Sequence, residues 1–223
     1  MKIDILTLFP AMFDNVFQQS IIKRAIASKQ VEIQTINFRN FSTLNNQQVD
    51  DTPYGGGRGM VLRCEPLVSA IESVRKENSK VILLTPQGIP YNQKLARGLA
   101  KEKHLILVCG HYEGFDERIR NFCDYEISIG DYILTGGEIP AMAITDSIVR
   151  LLPGVIKEES FENDSFTDNL LDYPTYTKPY DFRGLKVPDV LISGNHQKIK
   201  EWREQARLEN TKKRRKDLLN NEE

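Results

Sequence analysis

The chain has 223 residues, of which 40% are hydrophobic and 27% charged, with a formal net charge of −1 at pH 7. That length fits one large domain, or a domain with a small companion, and the composition is that of an ordinary globular protein with a substantial core. It excludes a disordered chain, and no uncharged apolar stretch approaches the ~18 residues of a membrane-spanning helix, so no membrane partner is expected.

The opening run, K-I-D-I-L-T-L, is interrupted by Asp4 and followed by no small-residue cleavage site. It reads as a first strand rather than a signal peptide. V-E-I-Q-T-I-N-F gives a second strand. The glycine-rich segment P-Y-G-G-G-R-G-M, Pro53–Met60, then precedes a helix over Glu65–Glu77, where Leu67, Ile71 and Val74 recur at helical spacing. K-V-I-L-L-T is a third strand and T-P-Q-G, Thr85–Gly88, an irregular segment after it. A helix over Tyr91–Lys101 leads to the fourth strand, H-L-I-L-V-C, and to G-H-Y-E-G-F-D-E-R, Gly110–Arg118. Y-E-I-S-I is the fifth strand. After it, S-I-G-D-Y-I-L-T-G-G-E-I-P-A-M, Ser128–Met142, runs into a helix over Ile139–Leu152. This alternation predicts an α/β domain with a mostly parallel sheet, whose ligands bind beyond the carboxyl ends of the strands.

Beyond Gly154 the character changes. From Glu158 to Asp172 there are six carboxylates and no Lys or Arg, whereas Lys198–Lys216 holds nine Lys/Arg against three Glu. Residues 157–176 lack periodicity and read as a mobile linker. A helix capped by Asn195 or Ser193 follows, with Ile199, Trp202 and Ala206 on one face and Lys198, Lys200, Arg203 and Arg207 among its cations. A basic terminal module of this kind suits RNA, and equally a plain solvated helix.

Cys64, Cys109 and Cys123 are odd in number and form no C-x-x-C. With His104, His111 and His196 scattered, the chain shows neither a disulfide framework nor a metal cluster, which fits a reducing cytoplasm. Three successive strands deliver their irregular segments to one edge. A pocket of backbone turns with Leu84, Ile129, Ile133 and Leu134 nearby suits a ligand with an aromatic ring and hydrogen-bonding edges. No phosphate-loop lysine and no G-x-G-x-x-G occur, which argues against a polyphosphate. Each glycine taken alone reads equally as the end of a strand.

Seven motifs in order resemble the bacterial tRNA (guanine-N1)-methyltransferase family: P-Y-G-G-G-x-G-M, L-T-P-Q-G, L-V-C-G-H-Y-E-G-F-D-E-R, the Ser128–Met142 segment, D-S-I-V-R-L-L-P-G-V, D-S-F and V-P-D-V-L-I-S-G-N-H. The match spans Ile5 to Leu219. The resemblance implies a SPOUT-type α/β fold with a deep trefoil knot, an exception to the rule against knots, plus a small helical C-terminal domain. It implies S-adenosylmethionine as methyl donor, guanosine at tRNA position 37 as acceptor, a homodimer with shared active sites, and a magnesium requirement. It divides the chain into a catalytic domain over residues 1–156, a linker over 157–176 and a tRNA-binding domain over 177–223.

Carried onto this sequence, the donor site comprises Leu84, Thr85 and Pro86; Gly110, Tyr112, Glu113 and Gly114; and Ile129, Gly130, Asp131, Tyr132, Ile133, Leu134, Gly136, Gly137 and Pro140. Asp164 of D-S-F matches the catalytic base and Arg150 of D-S-I-V-R its partner. Asp50, Gly59, Ser165, Lys198, Arg203, Arg207, Lys212 and Arg214 are expected to contact tRNA. His111 and Arg58 depart from the family's common residues at their positions.

Overall fold

The computed structural model describes residues 1–157 and 164–219. Positions 158–163 of the expected linker and 220–223 of the expected tRNA-binding domain lie outside the described residues. The chain forms two compact units, Met1–Ile156 and Lys157–Glu223.

In the first unit, β1 (Lys2–Thr7) is followed by two short helices, α1 (Asp14–Phe17) and α2 (Ser20–Ala27), and by β2 (Glu32–Asn37). A small antiparallel hairpin, β3 (Asp50–Asp51) and β4 (Val61–Leu62), frames the Pro53–Met60 loop. Then come α3 (Cys64–Val74), β5 (Ser79–Pro90), α4 (Gln93–Leu99), β6 (His104–Cys109), β7 (Tyr125–Ser128) and α5 (Glu138–Val149). The five-stranded sheet has the order β2-β1-β6-β5-β7, and every pairing in it is parallel. Parallel strands are covered on both faces, which is why they read as nearly continuous apolar runs. In β6, Leu105, Leu107 and Cys109 enter one core with Ala141, Ile144 and Ile148 of α5. Ile106 and Val108 enter the other, with Leu67, Ala70 and Ile71 of α3.

Thr85–Gly88 is not a loop beyond the third strand, as the sequence led us to expect. β5 continues through it to Pro90, and its register against β7 shifts between Leu84 and Ile89. The segment is a bulge, which re-aims the backbone without ending the strand. Gly88 makes it possible: a Cβ there would lie 2.3 Å from the Ile127 nitrogen.

At the amino end of the sheet, the Lys76 N–H donates to Ser79 Oγ at 2.7 Å, and His104 bridges Ser79 (2.7 Å) and Asp4 (2.9 Å). Lys2 also pairs with Asp4 at 2.8 Å, while the other Asp4 oxygen, Oδ1, has no partner among the described residues.

The second unit contains the hairpin β8 (Asp181–Phe182) and β9 (Leu185–Lys186), then α6 (Asp189–Ile192) and α7 (His196–Arg214). Asn195 caps α7 by accepting the Lys198 N–H at 3.1 Å, as expected from the sequence. Among the described residues no helix is long and apolar enough to cross a membrane.

Candidate active site

The carboxyl ends of β5, β6 and β7 enclose a cleft of about 470 Å³. Leu84, Thr85 and Pro86 line it from the bulge, and Gly110, Tyr112, Glu113 and Gly114 from the turn after β6. Ile129, Gly130, Tyr132, Ile133, Leu134, Gly136 and Gly137 line it from the segment after β7, with Pro140 from α5. Every residue expected at the donor site is therefore in one wall except Asp131, which is exposed and outside the lining. Sequence reasoning missed Gln87, His111, Phe115, Glu117, Arg120, Ile127, Ser128 and Thr135, which also line the cleft. Most lie inside the same motifs, so membership of the motif was the available signal.

The wall is held by close backbone approach. The Gly137 N–H donates to the Gly110 carbonyl at 2.8 Å, and a Cβ on Gly137 would lie 2.6 Å from Cys109 Cα. A Cβ on Gly110 would strike the Phe115 ring at 2.7 Å. Behind this wall Glu138 is buried at the first turn of α5, where a carboxylate is favoured by the helix dipole, and accepts the Thr7 hydroxyl at 2.7 Å. His111 packs its ring 4.9 Å from that of Phe9, and its buried Nδ1 has no partner among the described residues. Burial, with Glu138 adding to it, pushes the Cys109 thiol well up, so it is a neutral core group and not a nucleophile.

Among the described residues no lysine lines the cleft. Its one arginine, Arg120, is held by Glu117 at 2.9 Å and by Glu126 and Gln87, so its charge is already answered by protein carboxylates. Such a wall offers backbone donors and acceptors and apolar surface, which fits a ligand with an aromatic ring and hydrogen-bonding edges and not a nucleotide polyphosphate. Gly59 and Glu113, expected on the tRNA and donor sides respectively, are neighbours: a Cβ on Gly59 would lie 2.4 Å from Glu113 Cγ. The Glu113 N–H donates to the Met60 carbonyl at 3.0 Å, which ties the Pro53–Met60 loop to the cleft. Asp50 sits in β3, paired with Leu62.

Arg150 is the C-cap residue of α5, in the first unit. Asp164 belongs to the second unit. In the described part of the expected linker beyond 164, Ser165 Oγ accepts the Asp172 N–H at 3.0 Å, and Leu171 and Asp172 bond to side chains of α7. Arg207 departs from expectation. Its side chain is 5% exposed and paired with Asp168 at 2.5 Å, so it is not available to a phosphate. Lys198, Lys212 and Arg214 are exposed on α7, as is Arg203, whose guanidinium lies 4.8 Å from the Tyr173 ring centroid.

The family profile described as tRNA (Guanine-1)-methyltransferase TrmD matches residues 1–221. The chain belongs to the tRNA (guanine-1)-methyltransferase family. It is 60% identical to the tRNA (guanine-N(1)-)-methyltransferase of Malacoplasma penetrans, over 98% of this chain and 97% of that one. It is 58% identical to the enzyme so named from Geobacillus kaustophilus, over 98% and 91%, and 56% identical to that of Mycoplasma capricolum, over 98% and 92%. This family member carries His111 in the cleft wall and an exposed Arg58 in the Pro53–Met60 loop.

Proposed function

We propose that this protein transfers the methyl group of S-adenosylmethionine to N1 of guanosine at tRNA position 37, beside the anticodon. The observation that carries the reading is the lysine-free cleft of three glycine-bearing segments in a chain of this family. The donor has no phosphate to neutralise, so backbone and apolar contacts suffice to hold it. Its cationic sulfonium supplies the activated methyl group.

Guanine N1 carries a proton at neutral pH. In the proposal Asp164 accepts that proton as N1 attacks the methyl carbon, and the carbon–sulfur bond breaks to leave the neutral thioether. Arg150 stabilises negative charge developing on guanine O6. The exposed cations of α7 hold RNA phosphates, with Asp50, Gly59 and Ser165 contributing on the tRNA side. The trefoil knot, the homodimer and the magnesium requirement belong to the same reading. A second copy is supported by apolar side chains left in solvent around the cleft: Ile133 is 81% exposed, Tyr132 54% and Tyr112 46%. Light scattering tests the dimer and chelation tests the metal.

The deciding experiment incubates the protein with labelled donor and tRNA transcripts bearing G or A after the anticodon, then digests the RNA. N1-methylguanosine from the G transcript alone is expected. Label on a ribose, or on both transcripts, would refute the reading.

A further inference from the structure

α7 presents two different faces. Arg203, Arg207, Asn210, Thr211 and the following Arg215 recur at helical spacing and all engage residues 166–173. Thr211, fully buried, accepts the Leu171 N–H at 2.9 Å and donates to the Arg207 carbonyl at 2.8 Å. The Asn210 amide donates to the Asp172 carbonyl at 3.2 Å. Arg215 lies over the Phe166 ring, 5.6 Å from its centroid. The segment is also closed on itself. The Thr167 N–H donates to the Asp164 carbonyl at 3.2 Å, the Phe166 N–H to the Leu170 carbonyl at 2.8 Å, and the Asp172 N–H to Ser165 Oγ. Phe166 adopts a φ of 71°, the left-handed region that a bulky side chain rarely occupies unless its surroundings hold it there, and Asn169, a residue type that tolerates that region, has a φ of 61°.

At the centre of this interface Arg207 is buried. One guanidinium nitrogen bonds Asp168 at 2.5 Å, another approaches Glu204 at 3.5 Å, and Nε has no partner among the described residues. A buried guanidinium needs its counter-charge, because removing one partner leaves an uncompensated ion. Asp168 lies four residues after Asp164, inside the closed segment. The Arg207–Asp168 pair therefore fixes how that segment sits on α7.

We infer that Arg207 is a positioning residue for the reaction: through Asp168 it holds the segment bearing Asp164 on the inner face of the helix whose outer face carries Lys198 and Lys212. The inference rests on the reading of Asp164 as the base. It gives α7 two tasks, gripping RNA and presenting the base, so that RNA bound to the helix arrives with the carboxylate already attached to its carrier.

The test uses full-length Asp168→Asn, Asp168→Glu and Arg207→Met. Asp168 has half its side chain in solvent, so its variants spare the helix even if Arg207→Met unfolds. Asp168→Asn is expected to slow single-turnover methylation at saturating tRNA and donor by roughly 10–100-fold, since about 1 Å of misplacement costs on the order of 10²-fold. Both dissociation constants should stay within about twofold of wild type, and Asp168→Glu should recover most of the rate. Hydrogen exchange should quicken at the Leu171 and Asp172 amides in Asp168→Asn and return in Asp168→Glu. Unchanged exchange and rate in Asp168→Asn would overturn the inference. So would an Arg207→Met enzyme with weakened tRNA binding and a normal saturating rate, which is the behaviour of a phosphate contact. If wild type methylates nothing at N1 while exchange responds as expected, the anchoring stands and the assignment of Asp164 as base falls.

Discussion

Gly137→Ala tests the cleft at the point where its wall is tightest. The φ of Gly137 is −83°, which any residue adopts, so the substitution adds no backbone strain and the effect is purely one of space. The new Cβ would lie 2.6 Å from Cys109 Cα and 2.8 Å from the Gly110 nitrogen, against the 3.4 Å at which ordinary van der Waals separation begins. Against the Cys109 main chain the shortfall is about 0.8 Å. Both obstructing atoms are backbone at the end of β6, a strand paired on each side, so the turn carrying Gly136 and Gly137 must retreat instead. Overpacking of this kind costs about 1–3 kcal/mol of stability. Retreat also stretches the bond from the Gly137 N–H to the Gly110 carbonyl and moves two cleft-lining residues. Losing one or two donor-contacting hydrogen bonds, at about 1 kcal/mol each, raises the dissociation constant of S-adenosylmethionine roughly 5–30-fold. Calorimetric titration and urea denaturation measure the two effects. Gly98→Ala is the control: in α4, with nothing within 4 Å of its Cβ, it should stabilise by about 0.5–1 kcal/mol and leave the donor unaffected. A Gly137→Ala protein with unchanged stability and donor affinity would refute close backbone packing as what shapes the cleft.

Asp164→Asn should lose about 10²–10⁴-fold in methylation rate while binding donor normally, and near-normal turnover would sink its assignment as base. Lys212→Gln should weaken tRNA binding and lower the slope of log affinity against log salt by about one, a change absent if this lysine merely solvates α7. Alkaline stability should also respond to buried groups. Burial, with Asp124 adding to it, pushes the Cys123 thiol from 9.0 up to about 12, and burial raises the Tyr91 phenol. For groups raised in the folded state, the unfolded chain loses its protons first, so their contribution is full below about pH 9 and is lost as pH climbs towards 12. Urea midpoints should fall across that window, and Cys123→Ala should flatten its lower part; an equal fall in both proteins would exclude the thiol. Free guanosine monophosphate at millimolar concentration should be methylated at least 10³-fold more slowly than an anticodon stem-loop, because it cannot engage the cations of α7 while occupying the site. Comparable rates would mean that the cations of α7 have no part in holding the substrate.

The fold was legible where burial is two-sided. The central strands β1, β5 and β6 stand out as largely apolar runs because there the sheet is covered on both faces, whereas the edge strand β2, E-I-Q-T-I-N, alternates; α3, α4, α5 and α7 fall within a few residues of their periodic signals. Thr85–Gly88 misled for a physical reason. A proline and a glycine look like a chain break, yet neither needs to pair at a bulge, and the strand resumes with Ile89 opposite Ile127. Much of the cleft wall was legible through the resemblance because it is local to three motifs, although eight lining residues were missed and Asp131 lies outside it. The groups that fix it are not local: Thr7 meets Glu138 across 131 positions. Arg207 shows the same limit. Composition places it among the cations of a basic helix, whereas its burial depends on Asp168, 39 positions earlier in an acidic stretch.

That acidic stretch followed by a basic helix looked like two solvated surfaces of opposite sign. In the structure part of the charge is internal to the second unit: Asp168 answers Arg207, and the carbonyl and amide of Asp172 are bound by Asn210 and Ser165. Counting charges therefore overstates both the freedom of the acids and the cationic surface left for RNA. The surplus that remains on α7 is Lys198, Lys200, Lys212, Lys213 and Arg214 at its two ends, with Arg203, against the Tyr173 ring, between them; all are exposed. In the proposed reaction the donor cleft belongs to the first unit and Asp164 to the second. The proposed division accounts for the sequence pattern, since a base carried on the second unit has no reason to lie among the glycine-rich motifs that build the cleft.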